Sequence, residues 1–174
     1  MTIIKQLQEV GTTYQKTLEE ITANFPTGTC YLSAYCITEY LKQIDLNAKI
    51  IIGELALINI KDKYITYGSS FKIKKSINVG DYHAWCELST ENGSYIIDPS
   101  MKYNIAFLKQ NHNFKVNKKT PSVLVTTEKS NYYWKYKEND KLVSHYNSFI
   151  SKVPESFKSD IVNKLVEKHP RLML

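Results

Sequence analysis

A chain of 174 residues that is 43% apolar and carries 13 Tyr and 6 Phe has enough nonpolar mass for one packed core, which excludes a disordered polymer. Its 6 glycines form no Gly-x-Gly-x-x-Gly or P-loop run, so a nucleotide-cradling fold is not expected. The 23 basic residues outnumber 17 acidic ones for a formal charge of +6, which points to an acidic substrate surface.

The basic residues are scattered apart from Lys72, Lys74, Lys75 and Lys115, Lys118, Lys119, and no nucleic-acid module motif accompanies them. Nucleic-acid binding is therefore not expected. Three cysteines, Cys30, Cys36 and Cys86, are an odd number and suggest free thiols in a reducing compartment. The start of the chain lacks the basic-then-apolar pattern of a signal peptide, and no apolar run is long enough to span a membrane. A cytoplasmic location follows as an expectation, with non-classical delivery left open. Neither repeats nor a linker divide residues 1–174, which are expected to form one domain.

Apolar residues at Ile4, Leu7, Tyr14, Leu18, Ile21 and Phe25 recur at three- and four-residue steps and predict a helix over 3–25. Gly11 lies on that stripe, where it either weakens the helix or admits another backbone. Pro26 and Gly28 break the chain. A second helix is predicted over 29–43, with Thr29 as its N-cap and Ala34, Ile37, Leu41 and Ile44 on its buried side. Residues 48–60 read as one long β-branched strand, bent at Gly53. Weaker strands are expected at 64–67 and 71–77, then clearer ones at 81–88 and 94–98, the last two joined through Asn92-Gly93. Beyond Pro99 the signals are a short helix within 101–113, strands near 123–125 and 132–136, and a helix over 155–168 opened by Pro154. Helices followed by antiparallel strands define an α+β class.

Cys30 begins the second helix, where unpaired N–H groups and the helix dipole favour a thiolate and the Cys30 N–H faces any developing oxyanion. His83 lies in one strand and Asp98 ends the next. Thiol chemistry requires these three roles: a sulfur to attack, an imidazole to hold and return the proton, and a carboxylate to orient the imidazole. Each residue also has an ordinary use. Cys30 can be an inert core thiol, His83 a satisfied core histidine, and Asp98 a turn-initiating carboxylate before Pro99.

Strand register separates the readings. A two-residue Asn92-Gly93 loop pairs Glu91 with Ser94 and leaves His83 about 13 Å from Asp98. A four-residue loop over 90–93 pairs Ser89 with Ser94 and sets Asp98 opposite Trp85, diagonal to His83 at about 7–8 Å. The constellation requires the second register. Metal binding is not expected: His83 and Cys86 are three apart in a strand and point to opposite faces, no Cys-x-x-Cys occurs, and no acidic run forms a calcium loop.

Gly28-Thr29-Cys30, His83-Ala84-Trp85-Cys86-Glu87-Leu88 and Ile97-Asp98-Pro99-Ser100 resemble the transglutaminase-like branch of the papain-like cysteine enzymes. The resemblance covers residues 28–100 and departs from the family's usual aliphatic residue at Cys86. It implies a papain-like fold with N-terminal helices packed on an antiparallel sheet. It also implies Cys30 as nucleophile, His83 as base and Asp98 as orienting acid, with no cofactor. A papain-like cleft between helix and sheet would draw its walls from Tyr31, Tyr82, Trp85 and Tyr95, with the 132–136 aromatic run as a further contributor. By the same analogy the second oxyanion donor would come from 14–24, with Tyr14, Gln15 and Asn24 as sources. The triad fixes acyl chemistry on a peptide or protein substrate but leaves the acceptor open. Water gives a peptidase, amidase or deamidase, and an amine gives an acyltransferase or transglutaminase. A silent binding module of the same fold, using Tyr31, Tyr35, Tyr132, Tyr133, Trp134 and Tyr136 as its face, is the non-enzyme alternative. Composition leaves the oligomeric state open.

Overall fold

The computed structural model describes residues 2–173. Two helices come first, α1 (Ile3–Ile21) and α2 (Cys30–Gln43). Five strands follow: β1 (Ala48–Ile58), β2 (Tyr64–Tyr67), β3 (Ser76–Gly80), β4 (His83–Thr90) and β5 (Gly93–Asp98). Then come α3 (Met101–His112), β6 (Leu124–Thr126), β7 (Trp134–Glu138), α4 (Val143–Ile150) and α5 (Glu155–Lys168). The class is α+β, with the N-terminal helices against a mostly antiparallel sheet.

α1 buries Leu7, Tyr14 and Leu18 of the expected stripe together with Val10, whereas Ile4, Ile21 and Phe25 at its ends are exposed. It stops at Ile21 rather than Phe25. Thr22 turns extended there, and its hydroxyl bonds the Leu18 carbonyl at 2.7 Å. Phe25, next to Pro26, instead sets its ring edge-on to Tyr103, 5.3 Å between centroids. Gly11 has a packing reason: a Cβ at that position would strike the Val123 side chain.

Among the described residues the strands form one seven-stranded sheet, ordered β3-β2-β1-β4-β5-β6, with β7 also on β1. β1 is long enough to serve two neighbours along one side: its residues 48–53 pair with β4 and its residues 53–57 with β7. Gly53 is where they change over, facing both His83 and Glu138. The strand does not break at Gly53. The glycine is needed because Lys137 backbone occupies the space a Cβ would take. Expected antiparallel throughout, the sheet has one exception: β3 runs parallel to β2 and starts at Ser76, five residues after the expected position.

Alternation along β4 and β5 divides the core in two. Cys86, Leu88, Tyr95 and Ile97 join α1, α2 and α5 in one cluster. Trp85 and Ile96 face the other way, onto Met101 and Leu108 of α3 and Tyr136 of β7. Cys30, Ala34, Ile52, Tyr82, Ala84 and Tyr146 form a third cluster at the end of the sheet where β4 begins. Among the described residues no helix is long and apolar enough to cross a membrane.

Candidate active site

The register of β4 and β5 decides how Asp98 meets His83. Ser89 faces Ser94, as the constellation requires, and pairing continues to Thr90 opposite Gly93. The connection is therefore tighter than the expected four residues, and Gly93 accommodates it with a φ of 120°. Cys86 faces Ile97, so the next residues outward bring Asp98 beside Trp85 and diagonal to His83. His83 Nε2 lies 2.7 Å from Asp98 Oδ2.

Asp98 is fully buried and both its oxygens are used. Oδ1 accepts from the Ser100 N–H at 3.1 Å and the Ser100 hydroxyl at 2.6 Å. Oδ2 accepts from the Tyr136 hydroxyl at 2.7 Å besides facing His83. The turn-forming role and the histidine-orienting role thus fall to different oxygens of one carboxylate. Burial works against its charge, but the His83 charge and the hydrogen bonds from His83, Ser100 and Tyr136 hold its pKa below the ordinary value.

Burial likewise opposes a charged His83. The Asp98 carboxylate, its hydrogen bond, and the hydrogen bond and charge of Cys30 outweigh burial and lift the imidazole pKa to about 10. With Nε2 engaged by Asp98, Nδ1 is the ring nitrogen left for the Cys30 sulfur. Cys30 lies beside the imidazole on the same cavity, at the start of α2. Gly28, at φ 68°, turns the chain into the helix. Thr29 occupies the N-cap position without capping: its hydroxyl donates to the Pro26 carbonyl at 2.8 Å, and no side chain caps the helix. The first-turn N–H groups, that of Cys30 among them, thus keep the electrostatic character expected of an open helix start. Tyr82 packs in the same cluster as Cys30, and burial followed by that thiol raises the Tyr82 pKa.

Cys30 and His83 open onto a cavity of about 270 Å³. Its wall includes Tyr67, Tyr82, Phe107, Phe149, Val79 and Asn104. Asp81 stands on the lining, which has no lysine or arginine.

Of the four expected cleft residues, Tyr82 lies on this cavity and the other three do not. Trp85 is 1% exposed and sits behind the imidazole, 6.2 Å from it ring to ring and edge-on to Tyr136 at 4.9 Å. Two residues along the strand from His83, it shares the histidine's face but points into packed core. Tyr95 pairs with Leu88 and points to the α1–α2 side. Tyr31 is one helical step round from Cys30, borders the neighbouring groove, and stacks on Phe149 at 5.3 Å.

The 14–24 segment supplies no donor to the cavity. The Gln15 amide donates to the carbonyls of Pro99 at 2.8 Å and Ser122 at 2.9 Å, Tyr14 is core, and Asn24 borders other grooves. From the 132–136 run, Tyr136 alone contacts the site, through Asp98, while Tyr132 is 56% exposed and bonds Asp62. Sequence reasoning missed Tyr67, Asn104 and Phe149 on the cavity and Tyr136 as the second partner of Asp98. Tyr136 stood in a visible aromatic run, but nothing local to it indicates Asp98.

The other two thiols are core. Burial pushes the Cys86 pKa up to about 12 and the Cys36 pKa higher still. Among the described residues, no group of three or more His, Cys, Asp or Glu side chains is placed to hold a metal ion. The Glu54 carboxylate is held by Ser70 and Asn139 and anchors the loop after β2.

No family model matches the chain, and no curated protein matches it. A solved protein described as "genomics APC5867" is similar in structure, with a TM-score of 0.50 over 95% of this chain and 78% of its own, at 11% identity. That likeness concerns the fold alone.

Proposed function

We propose that this chain is a cysteine-dependent acyl enzyme of the transglutaminase-like branch of the papain-like superfamily, hydrolysing an amide of a peptide or protein. One observation carries the reading: a buried imidazole bound through one nitrogen to Asp98, with Cys30 beside it on the wall of one apolar cavity. A core histidine needs a partner for its polar atoms. It does not need a carboxylate on one side, a cysteine from a helix start on the other, and a cavity in front of both.

The residues divide the work as follows. His83 takes the Cys30 proton, and Asp98 fixes the ring and stabilises the imidazolium. The Cys30 sulfur adds to the carbonyl carbon, and the carbonyl pair moves onto oxygen, where the Cys30 N–H meets it. Collapse breaks the bond to the leaving nitrogen, which takes its proton from His83. Water, deprotonated by His83, then releases the acid and the free thiol. A high imidazole pKa suits the acid half of this cycle, since the proton is in place at neutral pH.

Hydrolysis is preferred to transfer because a cavity of about 270 Å³ seats one acyl substituent and water needs no second dedicated site. An acidic partner surface, favoured by the +6 charge, would meet lysines outside the cavity, whose own lining is free of them. Three free, buried thiols support a reducing, cytoplasmic setting.

The test traps acylated Cys30 from a peptide library by mass spectrometry, then adds buffer with or without a labelled primary amine. Hydrolytic release, absent from Cys30→Ala and His83→Ala proteins that still fold, is expected. Amine incorporation outrunning water would make the chain an acyltransferase. A Cys30 that no acyl donor modifies would leave the binding-module reading.

A further inference from the structure

The cavity wall holds an unpaired donor next to the candidate triad. Tyr67, the last residue of β2, is 9% exposed, and its hydroxyl is buried without a hydrogen-bond partner among the described residues. Left so, a buried hydroxyl is a net cost to folding. Its ring lies 5.9 Å from that of His83. Gly80 keeps the ring in place: a Cβ there would come within 2.8 Å of Tyr67 Cδ1. The chain thus combines a costly orphan hydroxyl with a seat that only glycine leaves open.

We propose that the Tyr67 hydroxyl is the side-chain donor that receives the oxyanion formed when Cys30 attacks a carbonyl, complementing the Cys30 N–H. The assignment rests on the acyl-enzyme reading above. An orphan donor in the resting site is what this role needs, because its bond is made only when charge develops on oxygen. Burial, with the charges of Cys30 and Asp98, raises the phenol pKa, so the group stays a donor. A second lining residue, Asn104, 6% exposed, also carries a buried donor without a partner among the described residues, its Nδ2. Tyr67 is preferred because it packs on the imidazole itself and feels the Cys30 charge.

Two reagents separate oxyanion stabilisation from general reactivity. With p-nitrophenyl acetate the sulfur adds to the carbonyl, the π pair passes to oxygen, and collapse breaks the C–O bond to release p-nitrophenolate. Iodoacetamide is displaced at a saturated carbon: a C–S bond forms, iodide leaves, and no oxyanion arises. Tyr67→Phe is expected to slow the p-nitrophenol burst from Cys30 about 100- to 1000-fold. Its iodoacetamide rate should stay within about twofold and its Tm should hold or rise, since an unpaired polar atom has gone. Equal slowing with both reagents, no slowing with either, or selective slowing in Asn104→Leu but not in Tyr67→Phe would overturn the assignment. Wild-type Cys30 that takes neither reagent would overturn the cysteine-enzyme reading, and this assignment with it.

Discussion

The hydroxyl of Tyr136 donates at 2.7 Å to the Asp98 oxygen that His83 also uses. Tyr136 belongs to β7, which is held on β1 opposite Leu55, so the orientation of the histidine depends on a strand nearly forty residues further along. Replacing Tyr136 with Phe removes one hydrogen bond to a buried carboxylate while keeping the ring that packs on Trp85. The expected loss is about 1.5–3 kcal/mol of stability, as for hydrogen bonds to charged groups. Cys30 acylation should fall several-fold, because Asp98 is then less well held. Urea titration beside burst kinetics measures both. A variant as stable as the wild type would show that the hydroxyl does not support the carboxylate.

The three thiols should differ sharply in reactivity. Burial pushes the Cys86 pKa to about 12 and that of Cys36 higher, and neither lines the cavity. Iodoacetamide at neutral pH is therefore expected to label Cys30 first, with Cys36 and Cys86 protected until denaturant is added. His83→Gln should slow Cys30 labelling by about a hundredfold, the scale of general-base assistance. Peptide mapping after brief exposure reads the order directly. Labelling of Cys86 or Cys36 ahead of Cys30 would sink the nucleophile assignment.

The local part of this site was legible in the sequence. The break at Pro26 and Gly28 placed Cys30 at a helix start, and alternation in 83–98 allowed one strand register in which Asp98 reaches His83. That register is present, as is the α5 helix that Pro154 opens. The errors have physical causes. Thr29 was expected to cap α2 from its residue type, but its hydroxyl is drawn to the nearby Pro26 carbonyl. Tyr95 and Trp85 are both expected as cleft walls by the papain-like resemblance, yet alternation sends them to opposite faces. The Tyr136–Asp98 bond and the approach of Tyr67 to His83 depend on which strands neighbour β1, and local pattern does not encode that. The α4 helix is amphipathic, but at eight residues it spans little more than two turns and no side-chain cap marks its start, so it did not stand out.

The His83–Asp98 pair makes stability depend on pH in a defined direction. A raised His83 pKa means that the folded state binds the proton more tightly. The resulting stability is complete below the ordinary value of 6.5 and is lost as pH rises through about 10. Asp98, held below its ordinary 3.8, contributes fully above that value and loses its contribution as acid protonates it. The two windows overlap between 3.8 and 6.5. The Tm gap between wild type and Asp98→Asn is therefore expected to be widest there and to narrow steadily towards pH 10. Melting curves of both proteins across that range test it, the difference cancelling titrations elsewhere. A gap that widens with alkali would mean that His83 folds as the neutral imidazole.

Phe149 is the wall residue whose loss should change access to the sulfur with least effect on the core. Its ring stacks on Tyr31 at 5.3 Å and Tyr82 at 6.1 Å, borders the cavity beside Cys30, and is 45% exposed. α4 thus closes one side of the cavity through a side chain half in solvent. Phe149→Ala gives up two ring contacts and should cost about 1–3 kcal/mol, each such contact being worth roughly 0.5–1.5 kcal/mol. The fold should survive, since the Cys30–His83–Asp98 line does not pass through Phe149. Two effects are then expected at the site. N-Phenylmaleimide, the bulkier reagent, should gain on iodoacetamide in reaction with Cys30. For any peptide the enzyme turns over, KM should rise with kcat little changed, because a wall contacts bound substrate and transition state alike. A fall in kcat at constant KM would instead place Phe149 in the chemistry, and an unchanged reagent ratio would show that access to Cys30 is controlled from another side.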